Sequence, residues 1–217
     1  MEVKYYTEPF KLKEIPLKDI YVIDNWCPQD LWDNFCKLVH ENGHWNFTNN
    51  VTWEDVGTTE ITWMYPFYTK HKKPYGNYSR FVDPIIDKMC EDFGFEFQQF
   101  DYAGINGQTT DQQGTIHKDN YRKKNLSIMW HMNPEWGEHW KGAFRVYKKD
   151  AIEQGQRGFS DRLVQDWQIA QVEYKPNRLI IMDGSYPHSA DAPSRSSGFT
   201  LRKTLVVFGN SIKLVDK

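Results

Sequence analysis

The sequence has 217 residues, of which 27 are Lys or Arg and 29 are Asp or Glu, and its aromatic share is 16%. The nearly balanced charge excludes a strong electrostatic attraction to DNA or to acidic lipid. The length is sufficient to bury a full core and falls in the range of one domain, so we expect residues 1–217 to form a single domain. The many aromatic residues favour a strand-rich fold with an aromatic-lined cleft.

Three cysteines, Cys27, Cys36 and Cys90, are widely spaced and include no CxxC pair. This pattern argues against a disulfide framework and against a cysteine zinc site. The N-terminal stretch MEVKYYTEPFKLKEIPLKD contains no apolar run typical of a signal peptide. No segment approaches the roughly 20 apolar residues of a membrane-spanning helix. We therefore expect a soluble, cytoplasmic protein with no membrane partner.

Residues 1–94 are predicted to be helical and irregular. A short strand, Ile20–Asp24, precedes a helix that begins at Pro28, because proline commonly opens a helix. A second helix follows Ser79 and ends at Gly94, where a glycine is typical of a helix C-terminus. Between the two helices, the segment 45–78 is aromatic and irregular, without a clear period.

After Gly94 the hydrophobic period changes from that of a helix to that of strands. The predicted strands, separated by Gly, Asn, Asp and Pro clusters, are Phe95–Tyr102, Leu126–Met132, Ala143–Tyr147, Ile169–Tyr174, Arg178–Met182 and Thr200–Phe208. Two helices followed by at least six short strands predict a mainly β fold with flanking helices. Its core, a β-sandwich or barrel, is expected to comprise residues 95–217.

A candidate metal site begins in the segment GTIHKDN, where His117 and Asp119 lie two positions apart. On a strand these positions point to the same face, although an H-x-D pair alone is weak evidence. A further histidine, His188, follows the strongly apolar RLIIMDGSYP, a suitable place to present a side chain at a barrel mouth. Two imidazoles and one carboxylate leave three positions open on an octahedral metal, the arrangement of non-haem iron(II) oxygenases. Zinc more typically takes four ligands, or three plus water.

The last predicted strand contains Arg202 and Thr204 on one face, in the segment LRKT. An arginine at the start of this strand can bind a dicarboxylate through a bidentate fork, and the neighbouring hydroxyl supplies one more donor. A solvated surface arginine is the alternative. The metal-ligand pattern upstream favours the binding role.

From His117 to Phe208 the sequence resembles the prolyl-4-hydroxylase-like branch of the iron(II)/2-oxoglutarate dioxygenases. The elements of that family are matched in order by HKD, WHMNPEW, KGAFRVY, RLIIMDGSYPH and LRKT, over roughly the C-terminal half of the chain. The resemblance implies a double-stranded β-helix, a jelly-roll or cupin-like core, buttressed by the N-terminal helices. Compact stand-alone members of this branch are familiar from bacteria and their phages.

The resemblance also implies an enzyme that uses iron(II), 2-oxoglutarate and dioxygen, with ascorbate as a supporting reductant, to hydroxylate a C–H bond. Succinate and carbon dioxide are the implied coproducts. The implied metal ligands and catalytic residues are His117, Asp119 and His188. The implied cosubstrate-binding residues are Arg202, His131, Thr204, Tyr102 and Ser127.

Two departures from the family pattern concern the cosubstrate pocket. His131 stands where the family usually has a tyrosine; it can donate the same hydrogen bond, and when protonated it adds charge complementarity to a carboxylate. The spacing from His188 to the basic residue is longer than usual, because the loop APSRSSG intervenes and contains a second candidate anchor, Arg195. Tyr102 is expected either to line this pocket or to pack in the core.

The sequence is compatible with several substrate classes. The resemblance favours a prolyl or other peptidyl side chain, or a small amino-acid-like molecule. The groove for it would be built by the aromatic residues Trp53, Trp63, Tyr65, Phe67 and Tyr68. Aromatic residues are equally suited to stacking a nucleobase, and the basic run Lys70–Lys73 is compatible with a phosphate. An oxygenase of nucleic-acid bases or nucleotides is therefore the alternative. The balanced charge of the chain does not favour it. A third reading is a metal-binding β-helix module without turnover. No oligomeric state is predicted.

Overall fold

The computed structural model describes residues 1–41, 45–49, 62–69, 73–74, 80–110, 112–119, 125–151 and 167–215. Within these ranges the helices are α1 (Gln29–Glu41) and α2 (Asp83–Phe93), and short 3₁₀ turns lie at Leu12–Glu14 and Arg195–Ser197. The strands are β1 (Val3–Tyr6), β2 (Ile20–Ile23), β3 (Asn46–Asn49), β4 (Thr62–Thr69), β5 (Lys73–Pro74), β6 (Phe95–Gln108), β7 (Asn125–His131), β8 (Phe144–Tyr147), β9 (Gln168–Val172), β10 (Leu179–Asp183), β11 (His188–Ala190) and β12 (Arg202–Leu214).

These strands form two sheets. The larger sheet has the order β1-β2-β10-β7-β12-β6-β4-β3, with β5 paired to β4, and its described pairs are antiparallel except for β1 with β2. The smaller sheet has the order β11-β8-β9. A single bridge between His117 and His188 continues the smaller sheet beyond β11. The chain is therefore mainly β with flanking helices, as predicted.

The larger sheet lies between the helices and the smaller sheet. Strand β7 passes through its middle, and all seven of its residues are buried, so both of its faces pack against other elements. On one face, Trp130 stacks on Phe35 of α1 with ring centroids 5.8 Å apart. On the other face, Met129 belongs to the same buried cluster as Phe144 and Val146 of β8. The space between the two sheets opens into the site described below.

Both helices form where the hydrophobic spacing predicts them. Helix α2 buries Ile85, Met89 and Phe93, which recur one turn apart, and α1 likewise buries a single apolar stripe. Gly94 ends α2 with φ 64° and ψ 53°, the left-handed conformation that glycine adopts without steric cost. The predicted end of this helix is therefore confirmed. In the described part of the chain, no helix is long and apolar enough to cross a membrane.

The segment 45–78, expected to be irregular, contains strands β3, β4 and β5. Strand β4 pairs with β6 inside the larger sheet, with a register shift between Pro66 and Tyr68. The shift accompanies a loss of alternation, since the residues from Tyr65 to Tyr68 are all buried. The N-terminal part thus contributes strands β1 to β5 to the larger sheet, and of these only β2 was predicted.

The other predicted strands are present, and two of them are longer than expected. Strands β6 and β12 were predicted to end at Tyr102 and Phe208, and they continue to Gln108 and Leu214. They do so because they pair with each other over almost their whole length. Strand β11 was not predicted, since three residues are too few to show a period.

A buried asparagine ties the start of α1 to the larger sheet. The Asn177 side chain accepts hydrogen bonds from the Cys27 backbone N–H at 3.1 Å and from Trp130 Nε1 at 3.0 Å, and it donates to the Cys27 carbonyl at 2.8 Å. Its φ is 52°, in the left-handed region where asparagine is enriched. We expect Asn177→Ala to lower the free energy of unfolding by about 3 kcal/mol, because buried donors lose their acceptor.

Chemical denaturation of the wild type and the variant measures this effect. Asn177→Gly loses the same hydrogen bonds but tolerates the backbone conformation, so it should be less destabilising than Asn177→Ala by about 1 kcal/mol. Asn34→Ala, at an exposed position of α1, is the matched control, with an expected change within about 0.5 kcal/mol. An unchanged unfolding midpoint for Asn177→Ala would contradict the expectation.

Candidate functional site

His117 and His188 face each other across the bridge that continues the smaller sheet. The backbone N–H of His117 donates to the backbone carbonyl of His188 at 3.0 Å, and the backbone N–H of His188 donates to the backbone carbonyl of His117 at 2.8 Å. The centroids of the two imidazole rings are 4.5 Å apart. Two histidines that are distant in the sequence are thereby brought to one place.

Backbone carbonyls orient both imidazole rings. Nδ1 of His117 lies 2.9 Å from the Thr115 carbonyl oxygen, and Nδ1 of His188 lies 2.9 Å from the Tyr186 carbonyl oxygen. A carbonyl oxygen only accepts hydrogen bonds, so we assign the hydrogen of each neutral ring to Nδ1. Nε2 of each ring then presents a lone pair, as a metal ligand must.

Asp119 lies against both Nε2 atoms. Its Oδ1 is 3.6 Å from Nε2 of His117, its Oδ2 is 3.5 Å from Nε2 of His188, and Ser127 Oγ donates a hydrogen bond to Oδ2 at 2.6 Å. Burial acts to raise the pKa of Asp119, but the two histidines more than offset it and hold that pKa well below its usual range. Burial acts to lower the pKa of His188, and the Asp119 carboxylate raises it in spite of this. The group therefore stabilises a positive charge placed among its three side chains.

These three side chains offer one ligand atom each, and the ligand atoms all lie within 4.8 Å of one another. Two imidazole nitrogens and one carboxylate oxygen suit a divalent transition metal. In the ranges that the structure describes, no fourth His, Cys, Asp or Glu joins this group. An octahedral ion held here would therefore keep positions open for other ligands.

Arg202 is buried at the start of β12, with 2% of its surface exposed. Its Nε donates to the Gly142 carbonyl at 2.9 Å, and its Nη1 donates to Gln108 Oε1 and Thr204 Oγ1, both at 3.0 Å. The guanidinium carbon lies 4.7 Å from the centroid of the Tyr174 ring. These contacts fix the orientation of the guanidinium.

The buried guanidinium has no carboxylate within 4.0 Å among the described residues. Burial lowers the pKa of Arg202 to about 10, so the group is still charged at neutral pH. A buried charge without a counter-ion is unfavourable. Arg202 is therefore suited to an anionic ligand.

His131 is fully buried and lies in register with Thr204 on the neighbouring strand. Its ring stacks on Tyr174, with centroids 4.0 Å apart and planes at 14°. Nδ1 lies 3.2 Å from both the N–H and the carbonyl oxygen of Lys175. That carbonyl also accepts the Arg178 N–H, whereas within the described ranges the Lys175 N–H has no other acceptor. We therefore assign Nδ1 as an acceptor, which puts the ring hydrogen on Nε2.

Nε2 of His131 is buried, and no described residue forms a hydrogen bond with it. Burial, followed by the positive charges of Arg202 and Arg178, holds the pKa of His131 well below 6.5. The low pKa favours a neutral ring at physiological pH and so disfavours the alternative of a protonated His131 that adds charge to the pocket. His131 instead offers one fixed N–H donor.

One cavity of about 400 Å³ is lined by both groups of side chains. His117, Asp119 and His188 share this space with Arg202, Thr204 and His131. The cavity is large enough for a small dicarboxylate beside part of a second molecule.

The sequence left two locations open for Tyr102, the cosubstrate pocket and the core. In the structure, Tyr102 lines the same cavity as the metal-ligand candidates. Its ring stacks on Phe208 at a centroid distance of 5.2 Å, and its hydroxyl donates to Asn106 Oδ1 at 3.4 Å. Burial raises the pKa of Tyr102. The phenol is therefore protonated at neutral pH.

Two further candidates lie outside this cavity. Ser127 contacts the Asp119 carboxylate and is not among the residues that line the cavity. Arg195 is exposed and lines a separate surface depression together with Arg145 and Asp191. Burial and access to the cavity therefore favour Arg202 over Arg195 as an anchor for an anion.

Comparison with known proteins gives matches of structure only. No model of a known protein family matches the sequence, and no curated protein matches it. A Pseudomonas putida prolyl-4-hydroxylase matches with 16% identity and a TM-score of 0.55, over 88% of this chain and 92% of that one. The non-haem α-ketoglutarate-dependent carbocyclase SnoK from nogalamycin biosynthesis matches with 11% identity and a TM-score of 0.56, over 90% and 81% of the two chains. An oxidoreductase of the 2OG-Fe(II) oxygenase family from Burkholderia pseudomallei matches with 11% identity and a TM-score of 0.52, over 88% and 84%.

The fold is a double-stranded β-helix. At these low identities the likeness concerns the fold, and it bears out the architecture that the sequence resemblance implied. In this double-stranded β-helix the smaller sheet carries His117 and His188, and the larger sheet carries Arg202, Thr204 and His131. The metal-ligand candidates and the anion-binding candidates thus approach the cavity from opposite sheets.

Three residues of the double-stranded β-helix contribute to the site without having been predicted. Gln108 is the register partner of Arg202, and its Nε2 also donates to the Ala190 carbonyl at 3.2 Å, which links the two sheets. Tyr174 supports both His131 and Arg202 with its ring. Gly142, with φ 83°, leaves room for the Arg202 side chain, since a Cβ there would lie 3.1 Å from its Cδ and Nε. Of these, only Gly142 carried a sequence signal, the glycine of the KGAFRVY segment.

Proposed function

We propose that this protein is an iron(II)- and 2-oxoglutarate-dependent dioxygenase of the prolyl-4-hydroxylase-like type, which hydroxylates a C–H bond of a prolyl or other peptidyl or amino-acid side chain. One observation carries the proposal: a single cavity is lined both by a two-histidine, one-carboxylate cluster and by a buried guanidinium with no described carboxylate partner. The first group suits a divalent metal and the second suits an anion. A metal-chelating dicarboxylate satisfies both at once.

The donor set supports iron(II) as the metal. His117, Asp119 and His188 supply three ligands, which leaves three open positions on an octahedral iron(II) but only one on a tetrahedral zinc. When bound, iron(II) with 2-oxoglutarate and dioxygen supplies the oxidising power for C–H hydroxylation, with release of succinate and carbon dioxide. The protein's share is to hold the three ligands in place and to orient the cosubstrate.

The polar groups on the larger sheet support 2-oxoglutarate as the cosubstrate. Arg202 supplies the positive charge for the far carboxylate. Thr204 Oγ1 accepts a hydrogen bond from Arg202, so its own hydrogen is directed to another acceptor. His131 offers the N–H of Nε2, which lacks a partner among the described residues. Two neutral donors and one cation match a carboxylate that keeps its charge.

Features of the cavity and its surroundings bear on the substrate class. Met129, Val206 and Phe208 contribute apolar surface to the cavity, which suits an aliphatic C–H group. Likeness of fold to the Pseudomonas putida prolyl-4-hydroxylase supports a prolyl side chain. Tyr65, Phe67 and Tyr68 are buried in the core, so they are available neither to line the predicted substrate groove nor to stack a nucleobase. Trp63 is only partly buried, and Trp53 and most of Lys70–Lys73 lie outside the described residues.

Succinate formation from 2-oxoglutarate tests the proposal. We expect the wild-type protein to release succinate with iron(II), ascorbate and dioxygen, and to release it faster when a proline-containing peptide library is added. Pools of free amino acids and of nucleotides serve as comparison substrates. Metal binding without succinate in any pool would instead favour the non-catalytic module.

His131→Phe is expected to raise the concentration of 2-oxoglutarate needed for half-maximal succinate formation by about 10-fold or more, since a hydrogen bond to a charged acceptor is lost. The size of the effect should be the same at pH 6 and pH 8. Because the pKa of His131 lies well below 6.5, the ring is neutral throughout this window and does not titrate in it. A steady-state titration of 2-oxoglutarate at both values of pH measures this.

The exposed His139→Phe is the matched control for the change of residue type, with an expected wild-type requirement for 2-oxoglutarate. A defect in His131→Phe that grows markedly towards pH 6 would show that the ring is protonated there. Such a result would overturn the assignment of a neutral donor.

A further inference from the structure

Ser127 makes a contact that neither metal binding nor cosubstrate binding by itself requires. Its side chain is fully buried on β7, and its Oγ donates to Asp119 Oδ2 at 2.6 Å. This distance is in the short range typical of a hydroxyl that donates to an ionised carboxylate. One of the two oxygens of the Asp119 carboxylate is thus already engaged by the protein.

The position of the Ser127 hydroxyl is fixed by its surroundings. Strand β7 is paired on both sides at this point, with Met182 of β10 and Phe208 of β12 as register partners. Gly184 lies so close that a Cβ built on it would be 2.4 Å from Ser127 Oγ. The backbone φ of Gly184 is not in the left-handed region, so the requirement for glycine comes from the space occupied by the hydroxyl and not from backbone strain.

We infer that Ser127 is a positioning residue that reserves Oδ2 of Asp119 and makes this carboxylate a one-oxygen metal ligand; the inference rests on the proposed iron(II) site. A carboxylate can bind a metal through one oxygen or through two. With two oxygens bound, the protein would fill four positions of an octahedral ion and leave only two. A chelating 2-oxoglutarate would occupy both, and no position would remain for dioxygen.

Binding of manganese(II) alone tests this inference without turnover. Water-proton relaxation of the protein-bound ion reports the number of coordinated waters, measured at protein concentrations that saturate the metal. We expect Ser127→Ala to lower this relaxation enhancement by about one third, because three open positions become two. A hydroxyl that served only packing would leave the enhancement unchanged and alter only thermal stability.

Gly184→Ala provides an independent change at the same contact. The new Cβ displaces Ser127 Oγ, so this variant should lose as much relaxation enhancement as Ser127→Ala although it keeps the hydroxyl. The double variant should equal Ser127→Ala, since no hydroxyl remains to be displaced. Ser197→Ala, which removes another buried serine hydroxyl far along the chain, is the matched control with a wild-type value.

The outcomes separate this inference from the proposed function. A wild type that binds manganese(II), together with a Ser127→Ala variant of unchanged relaxation enhancement, overturns the role of Ser127 and leaves the proposed function standing. A wild type that binds no manganese(II) overturns the metal site, and the role of Ser127 with it.

Discussion

Asp119→Ala is expected to abolish succinate formation and to weaken binding of iron(II) by more than about 100-fold. This loss of affinity is larger than the loss caused by removing a residue that only forms a hydrogen bond to a metal ligand. Asp119 is the one anionic member of the described ligand group, and it lies within 3.6 Å of Nε2 of both histidines. Without it, the buried imidazole of His188 and the half-buried imidazole of His117 would have to hold a divalent ion with no compensating negative charge. Neither the charge nor the third ligand position is supplied by another described side chain.

Two measurements on purified protein check this expectation. Titration with iron(II) under anaerobic conditions gives the metal affinity, and a coupled assay gives succinate. Asp87→Ala, which removes an exposed carboxylate on α2, is the matched control and should keep wild-type values of both. Circular dichroism establishes that the Asp119 variant is folded. Metal-dependent succinate formation by folded Asp119→Ala would refute the ligand assignment.

The fold could be predicted wherever the signal was local. Helix α2 repeats its buried residues at helical spacing and stops at Gly94, so both its existence and its end could be read from neighbouring residues. Strand β4 lacks such a signal, because the register shift between Pro66 and Tyr68 breaks the alternation that marks a strand. The ends of β6 and β12 depend on pairing between residues about a hundred positions apart, such as Gln108 with Arg202. No local period records that pairing.

In the candidate site, too, some features have a local sequence signal and others depend on the fold. His117, Asp119, His188 and Arg202 could be proposed from residue type and spacing, since each stands in a segment with the expected pattern. The protonation state of His131 could not be predicted from the sequence, because it depends on burial and on two arginines that the fold brings near the ring. The contact of Ser127 with Asp119 was equally hidden, since alternation gives the face of a residue and not its partner.

Arg202→Ala is expected to raise the concentration of 2-oxoglutarate needed for half-maximal succinate formation by about 100-fold, as removal of one partner of a buried ion pair usually does. The maximal rate should fall much less, because the metal ligands are untouched. Arg202→Lys keeps the charge but loses the planar fork that now reaches Gly142, Gln108 and Thr204, so it should lie between the wild type and Arg202→Ala.

Arg195→Ala is the matched control for this change. Both arginines follow the distal histidine, but Arg195 is exposed and does not line the cavity. Its replacement should leave the requirement for 2-oxoglutarate unchanged. The opposite pattern, with a large effect at Arg195 and none at Arg202, would move the anchor to the loop before β12.

A change of cosubstrate separates loss of the charge pair from general damage to the cavity. In 2-oxopentanoate a methyl group replaces the far carboxylate, while the part of the molecule that chelates metal is the same. The wild type should strongly prefer 2-oxoglutarate, because only 2-oxoglutarate supplies a counter-ion to the buried guanidinium. In Arg202→Ala this preference should largely disappear, since the cation that stabilises the far carboxylate of 2-oxoglutarate is gone. A damaged cavity would lower activity with both compounds and keep the preference, and that result would mean that Arg202 does not bind the far carboxylate.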